Sequence, residues 1–271
     1  MKKKFFFFDV DNTLAVWPDG IIPKSAQMTL DTLKANGHRV ALATGRLQID
    51  AKRFADMANV HDFVADGGKS VTVNNEILFM EGLDREACLN YLAQLDRLGL
   101  HWAVTDVNEL VRVTPYEEVL NWHPVWDVCT TKYDPNFDYR KVEHFYKIYA
   151  YMTPEQEAAT GVVHMSNDII RYGNDCILFE PMVKGEGVRR MIAHYGMEPA
   201  DVVVFGDGYN DLSMFNPECL TSPWGMPVKS LKRRLIILRP IVIMTAFTKL
   251  VKFRLDLSCC SVDAHRAALH K

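Results

Sequence analysis

Asp9 and Asp11 stand two residues apart at the end of an apolar run, in the stretch FFFFDVDNTL from Phe5 to Leu14. Residues two apart on an extended chain point to the same side, so both carboxylates share one strand tip. Carboxylates set against a strand buried on both faces are costly to desolvate unless a cation, a phosphate ligand or both neutralise them. Three other pieces can converge there: Thr44 with Gly45 in ATGR, Lys184 in KGEG, and Asp207, Asn210 and Asp211 in GDGYND. Carboxylates and an amide, with neither His nor Cys among them, suit a hard ion, Mg²⁺ above all.

These parts suit phosphoryl transfer. A carboxylate nucleophile divides hydrolysis into two easier steps through an aspartyl-phosphate, and Asp9 is placed for that role. Asp11 would protonate the leaving alcohol and then deprotonate water, a role that needs a pKa raised by burial near another carboxylate. Thr44 and Lys184 would hold and neutralise the phosphoryl oxygens, and Gly45 lets the backbone approach them closely. Asp207 would help Asp9 and Asp11 hold Mg²⁺, with Asn210 and Asp211 in or just outside its shell.

Blander readings are weaker. An EF-hand loop opening at Asp9 needs Gly at its sixth position and Glu at its twelfth. Leu14 and Gly20 stand there instead. Asp207 and Asp211 taken alone would suit a solvated turn and helix cap. Trp102, Trp122 and Trp126 read as core or rim packing rather than a base-stacking platform, so no nucleic-acid partner is expected.

The elements that must position these residues alternate. FFFF reads as a buried strand, KSAQMTLDTLKANG as a helix, HRVALATGR as a strand, QIDAKRFADMANV as a helix and FVADGG as a strand. That alternation predicts a doubly wound, Rossmann-like α/β core around a parallel sheet, with ligands at the carboxyl ends of its strands. From about Lys69 to Glu180 the pattern changes to α+β. VTVNNEILF reads as a hairpin, DREACLNYLAQLDRLG as a helix, HWAVTDV and DCILFEP as strands, and YRKVEHFYKIYAYM is ambiguous. KGEGVRRMIAHYG and DVVVFGDGYNDLSMF then re-enter the core.

With DVDNTL, ATGR, KGEG and GDGYND in this order, the chain resembles the haloacid dehalogenase superfamily. The resemblance covers roughly residues 3–221. It implies Asp9 as nucleophile and Asp11 as acid–base, with the Asp11 backbone carbonyl also on Mg²⁺. It further implies Thr44 and Lys184 as phosphate ligands and Asp207 as the acidic metal ligand, supported by Asn210 and Asp211. About 140 residues separate Thr44 from Lys184, room enough for an inserted domain. That placement is similar to the Cof-type phosphatases, which carry an α/β cap there and hydrolyse small phosphorylated metabolites, frequently sugar phosphates. The expected division is a core of residues 1–80 and 183–221, a cap of 81–182 that sets specificity, and a tail of 222–271. A phosphotransferase or mutase of the same superfamily, or an inactive metabolite-binding relic, are the alternatives. One departure is DGGK, where Asp66 or Gly67 stands in place of an Asn frequent in the family.

The 271-residue chain has a net charge of -3 that hides an asymmetry. Residues 222–271 carry ten Lys/Arg against two Asp/Glu, leaving 21 against 32 before them. That basic tail lacks the family's closing segment. Read one base earlier, the codons of Trp224 and Gly225 force Gly, those of Met226 and Pro227 force Ala, and those of Met244 and Thr245 force Asp. These fall where the family has its Gly-Asn-Ala and Asp-Gly-Ile stretches. A frameshift near Thr221 is the expectation, with a genuine basic extension the rival reading. The six cysteines form no C-x-x-C pair, and the apolar run after MKKK is too short for a signal-peptide core. A cytoplasmic location with reduced thiols and no membrane partner is expected.

Overall fold

A computed structural model describes residues 2–16, 19–122, 124 and 127–215. The tail expectation, the packing of Trp126 and Cys219, Cys259 and Cys260 lie outside the described residues.

In chain order the first half-core is β1 (Phe5–Phe8), α1 (Lys24–Ala35), β2 (Arg39–Ala43), α2 (Gln48–Met57) and β3 (Asp62–Ala65). A hairpin of β4 (Ser70–Val73) and β5 (Glu76–Met80) follows. The next stretch holds α3 (Arg85–Arg97), β6 (His101–Thr105), β7 (Val111–Thr114) and β8 (Thr130–Tyr133). After it come β9 (Lys147–Tyr151), α4 (Pro154–Thr160), β10 (Ile169–Tyr172) and β11 (Cys176–Phe179). The chain then returns through α5 (Lys184–His194) and β12 (Val202–Phe205).

The first sheet has the order β12-β1-β2-β3-β4-β5. Its first four strands run parallel, and the β4–β5 hairpin closes it antiparallel. Asn74 and Asn75 take φ of 51° and 67° at that hairpin, the left-handed pair that a two-residue turn requires. The four phenylalanines of β1 are all buried, and their alternation divides them between two cores. Phe6 and Phe8 pack with Leu30, Leu33 and Phe54 of α1 and α2. Phe5 and Phe7 pack with Val188, Met191 and Ile192 of α5 on the opposite face. Helices on both faces of a mainly parallel sheet make the core doubly wound.

The second sheet has the order β10-β11-β9-β6-β7-β8, antiparallel except for the parallel β7–β8 pair. One face is covered by α3, whose Cys88, Tyr91, Leu92 and Leu95 meet Trp102, Val104, Ile148 and Ile177. Residues of the other face, including Tyr149, Ile170, Tyr172 and Leu178, line a cavity shared with the first sheet. Trp102 is buried and its indole N–H donates to Asp96 at 2.8 Å. The ambiguous segment resolves into a short 3₁₀ turn at Tyr139–Lys141 and then β9.

Candidate active site

The parallel ladder continues one residue past β1, with the Asp9 amide donating to the Phe205 carbonyl at 2.9 Å. That bond sets Asp9 at the carboxyl end of the sheet, almost fully buried. The chain then turns sharply, Asn12 adopting φ of 61°, and brings the Thr13 hydroxyl back to Asp207 at 3.3 Å.

Lys184, at the start of α5, is wholly buried. Its ammonium donates to Asp9 Oδ1 and to Asp211 Oδ1, each at 2.6 Å. The other Asp211 oxygen accepts from the backbone N–H groups of Asp207 at 2.9 Å and Gly208 at 2.8 Å. Asp211 thus ties the ammonium to the turn after β12. Backbone packing fixes this corner. A Cβ on Gly67 would overlap the Pro181 carbonyl oxygen, so no side chain fits at that position. A Cβ on Gly185 would strike the Ser213 carbonyl.

Burial pushes the Asp9 carboxyl up to about 7, with Lys184 pulling the other way and Asp211 adding to the rise. Burial alone would lower the Lys184 ammonium, but Asp9 and Asp211 together hold it above its ordinary value. Asp207 is also raised, chiefly by desolvation. Oxygens of Asp9, Asp207 and Asp211 can be chosen within 4.8 Å of one another. Asp9 and Asp207, both raised by desolvation, are hard oxygen donors that a small divalent cation would relieve, while Asp211 already accepts from Lys184 and two backbone amides.

The expected residues divide into two groups. Asp9, Asp11, Gly45, Asp207 and Asn210 line a cavity of about 270 Å³. Thr44, Lys184 and Asp211 are buried immediately behind that wall. The Thr44 hydroxyl accepts from the Arg46 amide at 3.1 Å, shaping the loop.

Arg46 itself was not singled out from sequence. Its guanidinium grips Asp11 with two bonds, Nε to Oδ2 at 2.9 Å and Nη2 to Oδ1 at 2.7 Å. Nη1 holds the buried Asp50 at 2.5 Å. Asp11 has the neighbouring carboxylate that its sequence position leads one to expect, since its charge bears on Asp9, and Arg46 adds a cation to the pair. The Arg in ATGR was the available signal. Lys147 of β9 and Glu180, the residue after β11, form a largely buried ion pair at 2.5 Å that also lines the cavity. Lys147 also reaches the Gly45 carbonyl at 3.4 Å.

Carboxylates and a buried lysine thus meet at the carboxyl ends of a doubly wound sheet, where such sheets bind ligands. The chain belongs to the haloacid dehalogenase-like hydrolases, whose family pattern matches residues 6–217. It is similar to YkrA of Bacillus subtilis (strain 168), provisionally named a phosphatase, with 26% identity over 79% of this chain and 83% of the relative. It is also similar to the 5-amino-6-(5-phospho-D-ribitylamino)uracil phosphatase YbjI of Escherichia coli (strain K12), with 27% identity over 67% of this chain and 70% of YbjI. The fold matches the solved structure of the subclass IIB sugar phosphatase BT4131 with a TM-score of 0.62 and 21% identity, over 80% of this chain and 85% of that one. Among the described residues no helix is long and apolar enough to cross a membrane.

Proposed function

We propose that this chain is a Mg²⁺-dependent phosphatase acting on a small phosphorylated metabolite, with sugar phosphates the first class to try. The observation that carries the reading is the buried Lys184 bridging Asp9 and Asp211 beside a cavity. The relatives named for a ribitylaminouracil phosphate and for sugar phosphates support this substrate class.

Asp9 attacks phosphorus. The bond from phosphorus to the leaving oxygen breaks, and that oxygen takes a proton from Asp11. In the second half Asp11 removes a proton from water, whose oxygen attacks phosphorus and displaces the Asp9 carboxylate. Inorganic phosphate and free Asp9 result. For these transfers one Asp11 oxygen must leave the Arg46 fork to carry the proton, while the other stays held and keeps Asp11 oriented. Thr44 shapes the loop that presents Gly45 and its neighbours to the phosphoryl oxygens, Lys184 supplies positive charge behind Asp9, and Asn210 stands at the same wall. Asp9, Asp207 and the Asp11 backbone would hold Mg²⁺, with Asp211 just outside. The ion, when bound, lends positive charge to the phosphoryl group. Residues 81–182 serve as the cap that selects substrates. The unpaired thiols of Cys88 and Cys176 suit a cytoplasmic site of action.

The test is phosphate release from p-nitrophenyl phosphate and a panel of sugar monophosphates with Mg²⁺ present. Release abolished by Asp9→Asn in a folded variant supports the reading. Transfer to an added sugar that outruns release to water would instead make the enzyme a phosphotransferase.

A further inference from the structure

Six carboxylates line the cavity: Asp9, Asp11, Asp50, Asp127, Glu180 and Asp207. Among the described residues its wall carries two full cations, Arg46 and Lys147. Both are already engaged. Arg46 is shared between Asp11 and Asp50. Lys147 is bound to Glu180, and both side chains are largely buried. Asp127 is paired in turn with the buried Arg112 behind the wall.

An incoming second phosphate or carboxylate would have to take one of these cations from its partner. The carboxylate left behind would then be buried and unpaired, which is strongly unfavourable. A hydroxyl makes no such demand. An ammonium has three N–H donors, and two from Lys147 go to Glu180 and to the Gly45 carbonyl. The third can donate to a substrate hydroxyl while that hydroxyl donates to a Glu180 oxygen, so the ion pair stays intact. Strand alternation points the pair into the cavity: Lys147 lies two residues from Tyr149, and Glu180 two from Leu178, all on its wall.

We propose that Lys147 and Glu180 are specificity-determining residues that accept a neutral, hydroxyl-bearing leaving group and exclude one carrying a second anion. This rests on the phosphatase reading above and narrows its substrates to single phosphate esters of uncharged polyols and sugars.

The experiment uses the full chain with Mg²⁺ and matched pairs of esters: glycerol 1-phosphate against 3-phosphoglycerate, and fructose 6-phosphate against fructose 1,6-bisphosphate. The neutral member of each pair is expected to have the higher kcat/KM by roughly tenfold or more. In Glu180→Gln the Lys147 charge loses its partner, and that preference should collapse towards unity or reverse. In Lys147→Met, glycerol 1-phosphate should lose roughly tenfold relative to p-nitrophenyl phosphate, whose leaving group offers no aliphatic hydroxyl. The wild-type comparison stands even if a variant fails to fold. A wild-type preference of one or less overturns the proposal. So does a Glu180→Gln enzyme slowed equally on every ester, because the pair would then serve stability alone. Turnover of p-nitrophenyl phosphate without the preference refutes only this specificity. No release from any ester refutes the phosphatase reading and this inference with it.

Discussion

Asp66 shows how one buried carboxyl makes stability depend on pH. It sits at φ of 47°, almost fully buried, with one oxygen accepting from the Gln48 amide at 3.2 Å. Desolvation pushes it up to about 6, against the pull of Ser70 and Lys147. The folded state therefore holds this proton more tightly than the unfolded chain, and ionisation opposes folding. The penalty is absent below about pH 4 and fully present above about pH 6 to 7. Asp66→Asn keeps a side chain tolerant of positive φ. It should stabilise the protein by on the order of 1–3 kcal/mol at pH 8 and by much less at pH 4. Urea unfolding at the two pH values measures the difference. Arg46 makes a second residue-level test. Lys at this position keeps the charge but cannot reproduce the fork that grips Asp11. Arg46→Lys should lower kcat by roughly 10- to 100-fold, while circular dichroism shows an unchanged fold.

At the scale of elements, α5 is set by close backbone contacts at its first turn. Gly185 lies against the carbonyl of Ser213, and its amide donates to the Ser213 hydroxyl at 3.1 Å. Gly185→Ala must push the helix away from that turn and carry Lys184 with it. The expected cost is about 1–3 kcal/mol, as for other overpacked sites, accompanied by a fall in kcat. A urea titration alongside steady-state kinetics checks both. The principal core elements were legible because their signals are local. Phe5–Phe8 reads as a buried strand, and Asn74-Asn75 marks the β4–β5 turn by tolerance of positive φ. By contrast β7, β8 and β10 are four-residue strands with Arg112, Lys132 and Arg171 inside them. No long apolar run announces them, and only pairing with their neighbours makes them strands. The site divides the same way. Asp9, Asp11 and Asp207 stand beside recognisable strands. Lys147, Glu180 and Asp50 look like ordinary surface charges until sheet pairing and helix packing turn them inward.

Across the whole molecule, a Mg²⁺ held at Asp9 and Asp207, with Asp211 beside them, would have a thermodynamic signature separate from turnover. An ion that binds only the folded state stabilises it by mass action. Adding Mg²⁺ at about a hundred times its Kd should stabilise the protein by about 2.7 kcal/mol. Melting scans would register this as a rise in Tm that EDTA reverses. In Asp207→Asn the rise should shrink, whereas a variant at the exposed Glu86 should retain it. An unchanged melting curve across the Mg²⁺ titration would count against a resident cation.

The central place of β1 has a further consequence for how the protein is made. Its four phenylalanines pair with β2 on one side and with Val202–Phe205 on the other. Synthesis must add some 190 residues between the two, which at ordinary ribosomal speeds takes roughly 10–40 s. Until then the nascent chain shows an open aromatic strand edge, and the face bearing Phe5 and Phe7 waits for α5. That interval is when a holding chaperone matters most to this polypeptide.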